Sequence, residues 1–212
     1  MHSPGRPILL RRAIVWPLLA AMVLGVTVAV AVLQRPSAPP VLRSGTALPQ
    51  PRPIGEFELV DQHGRALNRS NFEGHWSLLF AGFTNCPDVC PTTLATLATL
   101  KSRLRERKSE LQVVFLSVDP ERDTPAQLAQ YVAHFDSSMI GATGAKEQID
   151  RLCADLGLVY LRNPGAAGAY TVDHSAALVL IDPQARVAAY FRPPHDLDGL
   201  EADFAALAGT GG

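Results

Sequence analysis

The sequence predicts an α/β domain that is preceded by a single transmembrane helix. Two observations lead to this prediction: an unbroken apolar segment near the N-terminus, and a later alternation of short apolar runs with segments of helical periodicity. Residues 1–55 contain six arginines and no acidic residue, whereas residues 56–212 contain 13 basic and 20 acidic residues. Residues 56–212 are acidic overall and have no cluster of basic residues. This argues against nucleic acid as the partner, because phosphate binding requires clustered lysine and arginine.

The apolar segment, residues 13–33, has 21 consecutive positions without a charge. A helix of that length spans about 31 Å, close to the thickness of the hydrocarbon layer. Only Arg35 follows the segment closely, whereas three basic residues precede it, namely Arg6, Arg11 and Arg12. The positive-inside rule therefore places residues 1–12 in the cytoplasm and the residues after position 33 on the opposite side of the membrane. A cleaved signal peptide ending at Ala29-Val30-Ala31 is the alternative, although its apolar stretch normally runs about 7–15 residues.

A proline-rich linker is predicted to follow the membrane anchor. Residues 34–55 contain six prolines, and such a stretch favours extended polyproline geometry over a packed core. We expect residues 56–208 to form the folded domain. The glycine-rich residues 209–212 are predicted to be a flexible tail.

The first half of the domain is predicted to contain a hairpin, two buried strands and a helix. Phe57–Val60 and Arg65–Leu67 flank a turn and indicate an N-terminal β-hairpin. Ser77–Phe83 and Leu111–Val118 are short apolar runs that are typical of buried strands. Between them, Thr92–Arg107 has leucines at helical spacing and is predicted to be a helix.

The second half adds helices and a further strand pair. Asp123-Thr124-Pro125 provides a cap and a first-turn proline for a helix that ends near Phe135, and Ala145–Leu156 is a further helix. Ala176–Ile181 and Val187–Phe191 are predicted strands, and Leu197–Leu207 closes the domain as a helix. The order βαβ then ββα, after an extra N-terminal hairpin, is that of a thioredoxin-like sandwich.

Two of the three cysteines lie where an α/β sheet places its functional residues. Cys86 and Cys90 fall between the first buried strand and the first long helix, at the carboxyl end of a strand. A helix N-terminus there favours the thiolate form. Because Pro91 disfavours helical angles at Cys90, we expect a loop or single turn before a helix that begins near Pro91.

Two converging thiolates form a soft site that prefers Cu(I) or Zn(II) over Mg or Ca. His174 lies at the start of a strand that is expected to neighbour the first buried strand, and it offers a third ligand. Two thiolates and one imidazole suit trigonal Cu(I) and can also hold Cu(II). Two alternatives stay open: a structural disulfide between Cys86 and Cys90, and a strand-end role for His174. Cys153 falls on the apolar face of a predicted helix and is interpreted as an inert core residue.

Three motifs together resemble the Sco (SenC) family of copper chaperones for cytochrome c oxidase. They are Cys86-Pro87-Asp88-Val89-Cys90-Pro91-Thr92-Thr93-Leu94, Ser117-Val118-Asp119-Pro120-Glu121-Arg122-Asp123-Thr124-Pro125 and Val172-Asp173-His174-Ser175. The resemblance runs from about residue 54 to residue 207. Asn85 stands where His is expected in many members, which changes the hydrogen bonding around the ligands. Within the second motif, turn and capping needs explain Asp119-Pro120 and Asp123-Thr124-Pro125, so no catalytic role is assigned to them.

The resemblance implies a thioredoxin-like fold in which Cys86, Cys90 and His174 bind one copper ion per chain, as Cu(I) or Cu(II). It implies that the chain delivers copper to, or reduces the cysteines of, the binuclear copper centre of oxidase subunit II. Another periplasmic copper carrier is a further expected partner. The chain is expected to be a metallochaperone rather than an enzyme.

A membrane-tethered thiol–disulfide reductase that uses Cys86 and Cys90 is the competing function, in which His174 tunes the thiolates. The three-residue spacing between the cysteines and the presence of His174 both favour the metallochaperone. The composition, with 16 arginines, three lysines and abundant alanine, suggests a GC-rich bacterial source. We therefore expect an inner-membrane protein with its C-terminal domain in the periplasm.

Overall fold

Strands and helices alternate along the folded part of the chain. The structure is a computed structural model that describes residues 21–27, 40–165 and 169–209. Its strands are β1 (Gly45–Pro53), β2 (Glu58–Asp61), β3 (Ala66–Asn68), β4 (Ser77–Gly82), β5 (Gln112–Ser117), β6 (Ile140–Thr143), β7 (Tyr160–Pro164), β8 (Tyr170–His174), β9 (Leu178–Ile181) and β10 (Arg186–Phe191). Its labelled helices are α1 (Val89–Glu106), α2 (Pro125–Phe135), α3 (Lys146–Asp155) and α4 (Leu197–Ala208).

Eight of these strands form one mixed sheet in the order β1-β10-β9-β4-β5-β6-β2-β3. β4, β5 and β6 run parallel to one another, and β9 lies antiparallel beside β4. β7 and β8 form a separate antiparallel pair, here called the β7–β8 ribbon. The predicted α/β architecture and the predicted pairing of β9 with the first buried strand are therefore both observed.

The sheet is covered on both faces. All six residues of β4 are buried, as expected for a central strand between two layers. Alternate residues face opposite sides, so that Leu78 and Phe80 pack with one hydrophobic cluster and Leu79 with the other. The first cluster includes residues of α1, α2 and α4, and the second includes residues of α3 and the β2–β3 hairpin.

Helix α1 begins earlier than predicted. The sequence indicated a loop or single turn up to a start near Pro91, but the helix begins at Val89 with Asp88 as its N-cap. Pro91 is the third helical residue, where the missing N–H has no intrahelical acceptor to lose. Cys90 is consequently part of the first helical turn, and its orientation is fixed by the helix.

The prediction of a linker over residues 34–55 is wrong for its C-terminal part. Gly45–Pro53 forms β1, which pairs antiparallel with β10, and Leu48 packs against the core. Prolines are tolerated because β1 is an edge strand, whose outward N–H groups need no partner in the sheet. The pairing also shifts register between Ala47 and Arg52. The folded domain therefore starts before residue 56.

Other predictions fall partly outside the described residues. Of the predicted membrane span, residues 13–33, the structure describes only residues 21–27, which are helical. Across the ranges that the structure describes, no helix is both long enough and apolar enough to cross a membrane. Of the predicted tail, Gly209 caps α4, and residues 210–212 lie outside the described ranges.

Candidate metal centre

Three side chains that are far apart in sequence converge at the carboxyl end of β4. Cys86 lies in the loop between β4 and α1, Cys90 lies in the first turn of α1, and His174 is the last residue of β8. One ligand atom from each, two sulfurs and an imidazole nitrogen, lie within 4.8 Å of one another. The residues that sequence reasoning selected as ligands are therefore brought together.

The two cysteines differ in exposure. Cys86 is partly exposed, whereas Cys90 is fully buried. The backbone N–H of Cys90 donates to the Cys86 Sγ at 3.4 Å, and the backbone N–H of Cys86 donates to the carbonyl of Phe83 at 3.2 Å. The first turn of α1 therefore directs a backbone donor at the more exposed of the two sulfurs.

His174 presents one nitrogen to the thiols. Its Nε2 lies 3.4 Å from the Cys90 Sγ, and its Nδ1 lies 3.2 Å from the carbonyl oxygen of Ser175. A proton on Nδ1 then donates to that carbonyl, which leaves the Nε2 lone pair directed at the sulfurs. Phe80 and Phe83 stand edge-on to the imidazole, with ring centroids 5.8 and 5.9 Å away.

Burial controls the protonation of two of the three groups. Burial raises the pKa of the Cys90 thiol far above its usual range. It also lowers the pKa of His174 below the usual histidine value, although the backbone carbonyl of Ser175 opposes the shift. Both groups are thus neutral without a cation, and a bound metal ion takes the place of the Cys90 proton.

The donor set fits a soft metal ion. Two sulfurs and one imidazole nitrogen are typical ligands of Cu(I), Cu(II) and Zn(II), and no oxygen ligand that would favour Mg or Ca belongs to this group. Thiolate and imidazole bonds to such ions are about 2.0–2.3 Å long, so the ligand atoms around one trigonal ion stand about 3.5–4.0 Å apart. The observed separations of at most 4.8 Å need a contraction of no more than about 1 Å to reach that range.

Sequence reasoning missed several residues that shape this centre. Gly82 lies beneath Cys90, where an added Cβ would stand 2.6 Å from the Cys90 Sγ. The sequence feature that could have identified Gly82 is a glycine inside an otherwise apolar strand. The interpretation of Asp123-Thr124-Pro125 as a cap followed by a first-turn proline is confirmed, since Thr124 is the N-cap and accepts the hydrogen bond from the Gln127 N–H. Sequence reasoning missed a separate role of Asp123, which accepts hydrogen bonds from Thr84, two residues before Cys86.

The third cysteine stays apart from the centre. Cys153 lies on α3, is buried in the second hydrophobic cluster, and is a free thiol, as are Cys86 and Cys90. Burial raises its pKa to about 12. The interpretation of Cys153 as a core residue is therefore confirmed.

The SCO1/SenC family model matches residues 46–209, most of the chain and the whole of this centre. The chain belongs to the SCO1/SenC family. A relative from Stutzerimonas stutzeri, whose name provisionally describes it as copper-binding, is 41% identical over 73% of this chain and 76% of its own length. The mitochondrial SCO1 homolog 1 of Arabidopsis thaliana is 35% identical over 69% of this chain. That match spans 44% of the Arabidopsis protein, which is the longer of the two.

Solved SCO1/SenC structures share the fold. Copper-bound ScoI of Arabidopsis thaliana superposes with a TM-score of 0.67 at 35% identity, covering 70% of this chain and 93% of that one. A SCO1/SenC family lipoprotein from Bacillus anthracis gives a TM-score of 0.66 at 26% identity, covering 79% of this chain and 99% of that one. The predicted thioredoxin-like α/β fold is thus that of the family's solved structures.

Proposed function

We propose that this chain is a membrane-anchored metallochaperone that binds one copper ion, as Cu(I) or Cu(II), through Cys86, Cys90 and His174. The proposed acceptor is the binuclear copper centre of cytochrome c oxidase subunit II, to which the chain delivers copper or whose cysteines it prepares. The observation that carries the proposal is the convergence of two sulfurs and an imidazole nitrogen within 4.8 Å. The copper in the related Arabidopsis structure supports the choice of metal.

The unequal exposure of the cysteines suggests how copper leaves the site. An acceptor thiolate reaches copper first on the side of Cys86, because Cys90 is fully buried beneath the loop. Its sulfur–copper bond forms as the bond to Cys86 breaks, and the ion keeps its oxidation state. Exchanging one ligand at a time lets a tightly held ion move without ever being free in solution.

Copper titration of the full chain tests the ligand set. We expect the reduced wild-type chain to bind one Cu(I) in competition with a chromogenic Cu(I) chelator. Cys86→Ser and Cys90→Ser should abolish this binding. His174→Ala should keep the stoichiometry and weaken the affinity at least tenfold, because the two thiolates remain while one ligand is lost.

Two variants serve as matched controls. Cys153→Ala removes a thiol outside the centre, and His195→Gln removes a half-buried imidazole that contacts the Ala176 carbonyl rather than the thiols. Both should keep wild-type affinity and stoichiometry. Unchanged affinity in His174→Ala contradicts the three-ligand site, and full copper loading in Cys86→Ser removes both cysteine assignments.

A thiol–disulfide reductase is a second candidate, favoured by the contact between the Cys90 N–H and the Cys86 Sγ. The more exposed Cys86 thiolate would attack a target disulfide and release one target sulfur as a thiolate. Cys90 would then lose its proton and attack the Cys86 sulfur, which leaves a Cys86–Cys90 disulfide and a reduced target. This function needs both thiols and no metal, so His174→Ala should preserve it while weakening copper binding.

A further inference from the structure

Two buried aspartates lie between the parts of the chain that carry the ligands. Cys86 follows a strand of the main sheet, whereas His174 ends the β7–β8 ribbon, which pairs with no other strand among the described residues. The segment that begins at the last residue of β5, residues 117–123, lies against both parts and is here called the aspartate loop. It contains Asp119 and Asp123, whose exposures are 1% and 0%.

Asp123 holds the start of the loop between β4 and α1, residues 83–88, here called the cysteine loop. Its carboxylate accepts the Thr84 backbone N–H at 2.9 Å and the Thr84 hydroxyl at 2.6 Å. The Ser117 hydroxyl also donates to it at 2.6 Å. A buried carboxylate is costly without such donors, so the contact with Thr84 fixes the chain two residues before Cys86.

Asp119 holds the strand that carries His174. Its carboxylate accepts the Tyr170 hydroxyl at 2.7 Å and is also bonded by the Arg122 guanidinium. Tyr170 lies on β8, four residues before His174. The Tyr170 ring also contacts two guanidinium groups, those of Arg122 and Arg162, each 3.9 Å from the ring centroid.

The two aspartates are joined inside the loop. The Asp119 backbone N–H donates to the Ser117 hydroxyl at 3.1 Å, and that hydroxyl donates in turn to Asp123. The Asp123 backbone N–H also donates to the Asp119 carbonyl at 2.9 Å. Hydrogen bonds therefore run without a break from the cysteine loop to the β7–β8 ribbon, and those at the centre of the network are buried.

We infer that Asp119 and Asp123 are positioning residues of the metal centre, because the aspartate loop holds the thiols and the imidazole at binding distance. The inference rests on the proposed function, since it assigns the network its purpose in copper binding. It has two consequences. Loss of the Tyr170 hydroxyl weakens copper binding by way of His174, and it loosens the cysteine loop at Thr84.

The Tyr170→Phe variant of the full chain tests the first consequence. It removes the hydroxyl that bonds Asp119 and keeps the ring that contacts the two guanidinium groups. We expect about a tenfold loss of Cu(I) affinity at unchanged stoichiometry, and little further loss when the change is made in a His174→Ala chain. Equal losses in both backgrounds overturn the inference, because Tyr170 would then act independently of His174.

The matched control is Tyr160→Phe. Tyr160 lies on β7 directly across from His174, and its hydroxyl bonds Asp150, which is outside the network. This variant should keep wild-type copper affinity. A loss as large as that of Tyr170→Phe would mean that any lost tyrosine hydroxyl disturbs the ribbon, which overturns a specific role for Asp119.

Amide hydrogen exchange in the metal-free full chain tests the second consequence. The peptide that contains Thr84 should exchange faster in Tyr170→Phe than in wild type, and at the wild-type rate in Tyr160→Phe. Equal exchange in all three chains overturns the coupling whether or not copper binds. Absence of copper binding by the wild-type chain would instead refute the proposed function, so the two failures are distinguishable.

Discussion

A missing side chain at Gly82 leaves the space that the Cys90 sulfur occupies. A Cβ at that position would lie 2.6 Å from the Cys90 Sγ and 2.8 Å from Cε2 of Phe115, and both neighbours are fully buried. Neither can move outward, because the first hydrophobic cluster surrounds both residues. The position of one ligand atom therefore depends on a residue that carries no chemistry of its own.

We predict that Gly82→Ala displaces Cys90 and weakens the metal centre. Overpacking at this site should lower the free energy of unfolding by about 1–3 kcal/mol and reduce Cu(I) affinity. Denaturant unfolding and chelator competition measure the two effects.

Gly64→Ala is the control for this prediction. Gly64 has φ +74° in the β2–β3 hairpin, and nothing lies within 4 Å of its added Cβ. It should lose about 1 kcal/mol of stability through backbone strain and keep its copper affinity. Wild-type affinity in Gly82→Ala would refute the role assigned to Gly82.

At the scale of elements, α4 holds β1 at the edge of the sheet through one carboxylate. Asp203 accepts the backbone N–H groups of Arg43, Ser44 and Gly45 at 2.6, 2.8 and 3.0 Å, and also the Ser44 hydroxyl at 2.9 Å. Burial opposes ionisation of Asp203, but these hydrogen bonds outweigh it and lower its pKa. The chain thus enters β1 at a fixed point.

We predict that Asp203→Asn lowers the free energy of unfolding by about 1–3 kcal/mol at neutral pH and increases cleavage by trypsin after Arg43. The folded-state pKa lies below the ordinary value of 3.8, so the stabilisation is complete above that value and is lost as pH falls through the lowered pKa. Wild type and variant should therefore converge in strong acid.

The control for this prediction is Asp198→Asn. Asp198 lies on the same helix and pairs with Arg103, but its side chain is 81% exposed. Its replacement should change stability by less than about 0.5 kcal/mol. Equal effects of the two substitutions would refute the assigned contact between α4 and β1.

Local patterns predicted most of the central elements, and long-range contacts decided the rest. The apolar runs at β4 and β5 were sufficient to locate those strands. β6 was missed because its four residues, Ile140–Thr143, include glycine and alanine and become a strand only through pairing with β5 and β2. β1 was missed because its prolines are compatible with a strand only at a sheet edge.

The same distinction holds at the metal centre. Cys86 and Cys90 are four positions apart, so their proximity could be predicted from spacing alone. The roles of Asp119 and Asp123 could not, since their partners Tyr170 and Thr84 are 51 and 39 positions away. The capping motif in Asp123-Thr124-Pro125 is real and gives no sign of the contact between Asp123 and Thr84.

For the whole molecule, charge is divided unevenly along the sequence. Residues 1–55 carry six arginines without an acidic residue, whereas residues 56–212 carry 20 acidic and 13 basic residues. The arginines around residues 13–33 suit an orienting role at a membrane. The negative domain suits attraction of a cationic metal or a basic partner surface.

We predict that the full chain fractionates with the inner membrane and resists extraction by alkaline carbonate. A C-terminal alkaline phosphatase fusion should be active, because the domain is expected in the periplasm. A variant without residues 13–33 should lose both properties. Release of a shortened chain that begins after Ala31 would contradict the anchor and support a cleaved signal peptide.

The burial of Cys153 has a consequence for the chain in an oxidising compartment. Three thiols allow three disulfide pairings, and two of these would join Cys153 to Cys86 or to Cys90. Cys153 is enclosed by α3 and its neighbours, and burial raises its pKa to about 12, so it competes poorly for oxidants and for copper. The odd cysteine therefore adds no exposed thiol beside the metal centre, and the contact between Cys90 and Cys86 favours their disulfide, from which reduction of a single bond restores the ligands.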